Sequence, residues 1–245
     1  MQDQFQPSEN SIRLNKAIAS TGFCSRRQAD ELIRSGRVKV NNTIVIDFSC
    51  PVNFQKDVLT VDDKPLLKKS FEYIILNKPR GVVTTCDDEF GRENVLELLP
   101  GALRHLKPVG RLDLESEGLL ILTNDGSLAQ KLTHPSKHVL KNYEVTVSGL
   151  ISDSTIAEFR QGVELSDGLT RPAQVRLIER NRDLSRFQIA IAEGRNRQIR
   201  RMCTQYGHPI IQLIRVAVGR LQLKGLEPGR WRHLTDSELL GLYSG

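Results

Sequence analysis

Residues 107–126, KPVGRLDLESEGLLILTNDG, gather four acids, Asp113, Glu115, Glu117 and Asp125, in a chain whose formal charge is +6. Three of them stand between Val109 and Leu112 on one side and the apolar run 118–122 on the other. Short apolar runs bounded by Gly and by an Asn-Asp-Gly turn read as buried strands. Asp113 is thereby placed where a loop leaves a core, and such loops are where a rigid scaffold presents reactive groups. A carboxylate there can act as a nucleophile or general base or, with Glu115 or Glu117, as one of the two acids of a glycosidase. The two-acid reading fits poorly, because the aromatic residues that line sugar clefts are few: 5% of the chain, with a single Trp, Trp231. On spacing alone, a turn-forming solvated Asp accounts for the same pattern.

The second reactive group is basic. Residues 193–202, EGRNRQIRRM, hold Arg195, Arg197, Arg200 and Arg201. On a helix, Arg197 and Arg201 share a face by i, i+4 spacing and Arg200 is turned from it, so the two sets can serve phosphate and carboxylate separately. A cluster that only binds a polyanion is the simpler alternative. The five histidines (His105, His134, His138, His208, His233) show no metal-ligand spacing, and no Ser or Cys stands out as a nucleophile. Cys24, Cys50, Cys86 and Cys203 are scattered without a Cys-x-x-Cys pair, which indicates neither a zinc site nor a disulfide framework and points to a reducing compartment. No phosphate loop or dinucleotide fingerprint is present.

The elements that must position these residues follow from periodicity and punctuation. Residues 1–10, with Pro7, read as a frayed tail. Ser11 is expected to cap a helix with Leu14, Ala17 and Ile18 inward, ended by Gly22. Ser25 then caps a second with Ala29, Leu32 and Ile33 inward, ended by Gly36. Val38 and Val40, a turn at Asn41-Asn42, then Ile44 and Ile46 predict two short strands. Residues 64–70, KPLLKKS, read as a linker. Further on, 71–76, 143–147, 186–191, 210–216 and 221–224 predict strands; 92–99, 127–132 and 153–162 predict helices. A last helix opens on the capping-box pattern Thr235-Asp236-Ser237-Glu238. Strands outnumber helices and mix with them irregularly, which argues α+β.

Charge is unevenly spread. Residues 11–45 carry seven basic and two acidic residues and 193–232 carry nine against two, leaving the rest of the 245-residue chain net acidic. Two separated basic regions suit an extended polyanion, since each phosphate contact releases counterions. No run of about 18 apolar residues and no secretory leader pattern occurs, so a soluble, cytoplasmic protein is expected.

Gly110-Arg111-Leu112-Asp113 followed by Ser116-Glu117-Gly118-Leu119-Leu120 resembles the signature loop of the pseudouridine synthases, and its surroundings resemble the RsuA-type ribosomal RNA branch, closest to the large-subunit members. The resemblance implies an activity. A uridine's N-glycosidic bond breaks, the uracil turns while held, and C5 bonds to ribose C1′, with no cofactor and no metal. It implies Asp113 as the carboxylate, which must be ionised and aimed, and Arg200 as its paired cation, with Arg195, Arg197 and Arg201 as rivals and RNA contacts. Tyr143, after Lys141-Asn142, is implied to stack on the base and assist loss of the C5 proton, and Arg111 to contact phosphate or fill the space of the displaced base. Asn77-Lys78-Pro79-Arg80-Gly81 resembles the family's first motif, implied to lie beneath the site and shape the loop. Residues 12–70 resemble the S4-type RNA-binding domain, which implies phosphate contacts from Arg13, Lys16, Arg26, Arg27, Arg34, Arg37 and Lys39.

The combined expectation is an α+β protein. A small N-terminal α/β RNA-binding domain (11–69) precedes a pseudouridine synthase catalytic domain (70–245) with a mixed, largely antiparallel sheet. The expected partner is ribosomal RNA, 23S before 16S, or an assembly intermediate, with transfer RNA as a further substrate, no membrane, and a monomeric enzyme. A non-catalytic RNA-binding or ribosome-assembly factor is the rival.

Overall fold

The computed structural model describes residues 11–67, 70–86 and 88–244, and the chain divides into two compact units between Phe71 and Glu72. The tail expected over residues 1–10 lies outside the described residues, as do Lys68 and Lys69 of the expected linker.

The first unit runs β1 (Ile12–Arg13), α1 (Leu14–Ser20), α2 (Arg26–Arg34), β2 (Val38–Val40), β3 (Thr43–Ile44), β4 (Pro51–Val52), β5 (Leu59–Val61) and β6 (Lys64–Pro65). An antiparallel sheet is ordered β3-β2-β5-β6, and β1 pairs separately with β4. Ser25 starts α2 with a full capping box: Gln28 N donates to Ser25 Oγ at 3.2 Å and Ser25 N donates to Gln28 Oε1 at 2.9 Å. Leu14, Ala17, Ile18, Ala29 and Ile33 then close over Val38, Val40, Val52, Leu59 and Val61, all buried.

Three expectations change here. Ser11 does not cap α1, because Ile12 and Arg13 first pair with β4; the orphan amides of Leu14 and Asn15 bond to Cys50 and Phe48 carbonyls instead. Ile46 is exposed and lies outside β3. Lys64 and Pro65 form β6 at the sheet edge, where a missing amide is harmless.

The second unit runs β7 (Tyr73–Lys78), β8 (Lys107–Pro108), β9 (Glu117–Thr123), α3 (Gly126–Thr133), β10 (Lys141–Ser148), α4 (Asp153–Gln161), β11 (Glu164–Leu165), β12 (Gly168–Leu169), β13 (Gln174–Arg180), β14 (Leu184–Ile191), α5 (Gln198–Gln205), β15 (Ile210–Val218), β16 (Leu221–Gln222), β17 (Trp231–His233) and α6 (Asp236–Ser244). Its main sheet is ordered β13-β14-β10-β15-β9-β7-β17, with β16 on β15 and β8 on β9. Every pair is antiparallel except β15 with β9, so the sheet is mixed and largely antiparallel.

β7 and β9 read as continuous apolar runs because both their faces are covered. Ile74, Leu76, Leu120 and Leu122 pack with Val82, Val95, Leu99 and Leu106, while Ile75, Leu119 and Ile121 pack with Leu128 and Leu132 of α3 and Leu242 of α6. α4 and α5 bury Ile156, Phe159, Ile199 and Met202 against Val145, Val147, Phe187 and Ile189. Trp231 is half-buried against the first of these cores.

Residues 92–99 are not helical. Val83 bridges Asn94, with Val83 N on Glu93 O at 2.9 Å and Val95 N on Val83 O at 3.0 Å, and the Asn94 side chain turns the chain by accepting from Leu96 N at 3.0 Å. Val109 and Leu112 are buried as expected, though the strand before them stops at Pro108.

Candidate active site

The loop that carries Asp113 is held from below by the last residue of β7 and the segment that follows it. Lys78 is fully buried, and its Nζ donates to the carbonyls of Pro79 at 2.8 Å, Ser116 at 2.7 Å and Leu114 at 3.4 Å. Gly81 N donates to Leu114 O at 2.9 Å, and Thr84 exchanges two bonds with the backbone of Leu112 at 2.8 and 3.3 Å. Asp113 O accepts Ser116 N at 3.0 Å, which closes the turn. Asp113 is half-buried at the tip of this pinned turn, and Arg111 beside it is exposed. Burial pushes the Lys78 ammonium down to about 8, partly offset by Glu117 and Asp113.

Arg200 enters from α5. Its terminal nitrogens lie 3.5 Å from a Glu115 carboxylate oxygen, 3.0 Å from Glu115 O and 3.2 Å from Ser116 Oγ, while its Nε is buried with no partner among the described residues. Burial works against its charge, Glu115 and Asp113 support it, and Arg197 and Arg80 oppose it. The guanidinium thus braces the Asp113 loop at Glu115 and Ser116, and no direct Asp113–Arg200 ion pair forms among the described residues.

The arginines divide differently from the helical-face expectation. Arg197 is the N-cap of α5 in the left-handed region (φ 48°) and lies with Arg200 on Glu115, at 3.8 Å. Arg201 is instead bidentate on Asp167, at 2.7 and 3.0 Å. Arg195 donates to the Gly168 and Leu169 carbonyls at 2.7 and 2.6 Å and so fastens the β11–β12 hairpin. The i, i+4 pairing fails because α5 begins only at Gln198.

These parts surround a cleft of about 510 Å³ lined by Asp113, Tyr143, Arg111, Arg195, Arg197 and Arg200, and also by Lys141 and Arg215. Tyr143 is half-buried on the sheet that forms its floor, packed against two cores. Asp113, Tyr143 and Arg200 therefore meet in one place.

In the N-terminal unit, Arg13, Arg26, Arg27 and Arg34 are exposed and Lys16 half-buried, with no ion pair among the described residues; Arg34 also lies 5.9 Å over the Phe48 ring. Arg37 and Lys39 are tied to Asp62 and Asp63, at 2.5 and 2.6 Å.

Sequence reasoning gave no individual role to Lys78, Thr84, Lys141 or Arg215. The signal for two of them was present: a lone charge in an otherwise apolar strand, YIILNK for Lys78 and LIRVAV for Arg215.

The model of the RNA pseudouridylate synthase family matches residues 72–205, and that of the S4 domain matches residues 12–53. A Bacillus subtilis protein named ribosomal large subunit pseudouridine synthase B is 38% identical over 229 residues, covering 93% of each chain. An Aquifex aeolicus RNA pseudouridine synthase is 39% identical over 95% of this chain and 94% of its own. A crystal structure of a pseudouridylate synthase superposes with a TM-score of 0.69 at 32% identity, over 95% of this chain and all of the other. The fold, with the family match, defines an RNA-modifying isomerase. The chain belongs to the RNA pseudouridylate synthase family, with an N-terminal S4 domain, and its partner is RNA. No helix of the described residues is long and apolar enough to cross a membrane.

Proposed function

We propose that this protein isomerises one uridine of large-subunit (23S) ribosomal RNA, working as a cytoplasmic monomer, with Asp113 as the reacting carboxylate, Arg200 as the cation that positions its loop and Tyr143 as the stacking platform. The observation that carries the assignment is the convergence of backbone anchors on the Asp113 turn: Lys78, Gly81 and Thr84 from one side and Arg200 from the other. A carboxylate carried on a backbone turn fixed this way, at a half-enclosed cleft, reaches a sugar or a base with little reorganisation of the chain. Tyr143 offers a flat surface for a uracil that has been turned out of its stack. In the reaction the C1′–N1 bond breaks, C5 bonds to C1′, the C5 proton leaves and N1 gains one, so nothing external is consumed. The large-subunit assignment is supported by the Bacillus subtilis relative, whose name carries that substrate. Arg13, Arg26, Arg27 and Arg34, exposed and without an ion pair among the described residues, serve phosphate contact.

The test maps pseudouridine across ribosomal and transfer RNA of the host, by carbodiimide treatment and reverse-transcription stops, in wild type, a deletion strain and an Asp113→Asn rescue. One 23S position lost on deletion and still absent in the rescue is the expected result. Loss at a 16S or transfer RNA position would move the target, and restoration by Asp113→Asn would remove the role given to Asp113.

A further inference from the structure

Arg215 is the one cation in β15, yet it is only 5% exposed. Its Nε donates to Leu119 O at 2.8 Å, and no other hydrogen bond or ion pair involves its guanidinium among the described residues. The ammonium of Lys141, half-buried on β10, likewise makes no hydrogen bond or ion pair among the described residues. Burial, and then the charge of Arg215, push the Lys141 ammonium below its ordinary range, so the two cations sense each other. Both line the cleft that holds Asp113 and Tyr143.

Their placement is built by the sheet. Tyr143 stands directly opposite Arg215 across the β10–β15 pair, and Lys141, two residues before Tyr143, projects to the same face. The register slips between Asn142 and Tyr143, leaving Val216 as an extra residue, a bulge of the kind that re-aims side chains. On the other side β9 comes so close that a Cβ on Gly118 would lie 2.3 Å from Arg215 O.

Two like charges that make no ion pair among the described residues, in a half-enclosed cleft, are unfavourable unless the ligand supplies negative charge. The phosphates of an entering nucleotide have their own exposed cations at the mouth, Arg111 and Arg197. A base lying on Tyr143 instead turns its polar edge toward the neighbouring side chains of the floor. We infer that Arg215, with Lys141 beside it, receives the negative charge that gathers on the uracil carbonyl oxygens when the glycosidic bond breaks. The bonding pair of C1′–N1 leaves with the uracil and spreads from N1 onto O2 and O4. The cations hold that charge until C5 returns the pair to C1′ and the C5 proton departs. This deepens, and rests on, the proposed reaction at Asp113.

The test uses the full-length protein and the RNA fragment carrying the mapped uridine, prepared with uridine or 5-fluorouridine at that position. Fluorine withdraws electrons and supports the ring anion, so the need for protein cations shrinks. On uridine, Arg215→Gln is expected to slow single-turnover loss of the substrate nucleoside by about 10²-fold and Lys141→Met by about 10-fold, with Kd changed by less than about 3-fold. On 5-fluorouridine both deficits contract toward wild type. Equal deficits on the two substrates, or a loss carried wholly by Kd, overturn the inference. If Arg215→Gln fails to fold, Lys141→Met carries the same comparison alone. Failure of the underlying reading shows separately, as an Asp113→Asn enzyme that keeps the wild-type rate on uridine.

Discussion

Arg13, Arg26, Arg27 and Arg34 of the S4 domain and the arginines of residues 195–201 both belong to basic stretches and are used in different ways. In the S4 domain Arg13, Arg26, Arg27 and Arg34 are exposed without ion pairs among the described residues. Around the cleft, Arg195, Arg200 and Arg201 are each bound to named acids and carbonyls of their own chain. A free guanidinium gains affinity from any phosphate it meets, whereas a tethered one gives up that gain to hold a loop in place. Basic composition alone therefore does not mark RNA contact; the local supply of acids, Glu115 and Asp167 here, decides which arginines remain available.

Mutations on the two sides should separate in kind. Arg200→Ala removes the brace on Glu115 and Ser116, and single-turnover rates should fall by about 10²-fold or more while Kd for RNA stays nearly constant. A matching loss of affinity would place Arg200 with the phosphate-seeking group. Lys78→Met should destabilise the catalytic unit by about 2 kcal/mol at pH 7 in urea titrations, since three carbonyls lose their donor. The pH dependence adds a sign. The folded value of about 8 lies below the ordinary 10.5, so between them the unfolded chain binds more protons and the stability contributed by this site rises with pH. Lys78→Met should flatten that rise across pH 8–10.5.

Arg26→Ala and Arg27→Ala should each weaken RNA binding with turnover of bound RNA unchanged, and lower the slope of log K against log salt by about one. Binding isotherms from 50 to 200 mM salt check this. The smallest effect belongs to Arg37, already neutralised by Asp62. Asp62→Asn should release it and tighten RNA binding by about 2-fold at low salt, because an exposed pair is worth little.

What was legible in the sequence was mostly local. The Ser25 capping box, the helix after Asn124-Asp125-Gly126 and the Thr235–Glu238 box, with Glu238 N on Thr235 Oγ1 at 3.3 Å and Thr235 N on Glu238 Oε2 at 3.0 Å, depend on neighbours within four residues. The apolar runs of β7 and β9 announced burial. What escaped depends on distant chain. Residues 92–99 have a tolerable helical pattern that loses to a bridge with Val83. Ser11 loses its capping role to a pairing with Val52 and its neighbour. The grouping of Arg197 with Arg200, and of Arg201 with Arg195, required knowing where α5 starts and where Asp167 lies. The motif resemblance brought Asp113, Tyr143 and Arg200 together on paper, and the structure lines one cleft with all three. It gave no role to Lys141 or Arg215, which line the same cleft.

The parallel contact between β9 and β15 joins Glu117 to Ile214 and Gly118 to Arg215, at the middle of the main sheet. Nearly a hundred residues must be looped out before this seam can zip, and loops of that length are among the slowest to close in folding. The cleft lies along that seam, so its assembly is expected to be the late event of refolding. During synthesis, competence arrives only after Arg215 has left the ribosome, by which time the S4 domain, complete within the first third of the chain, has long been able to fold. A nascent chain would then grasp RNA well before it could alter it.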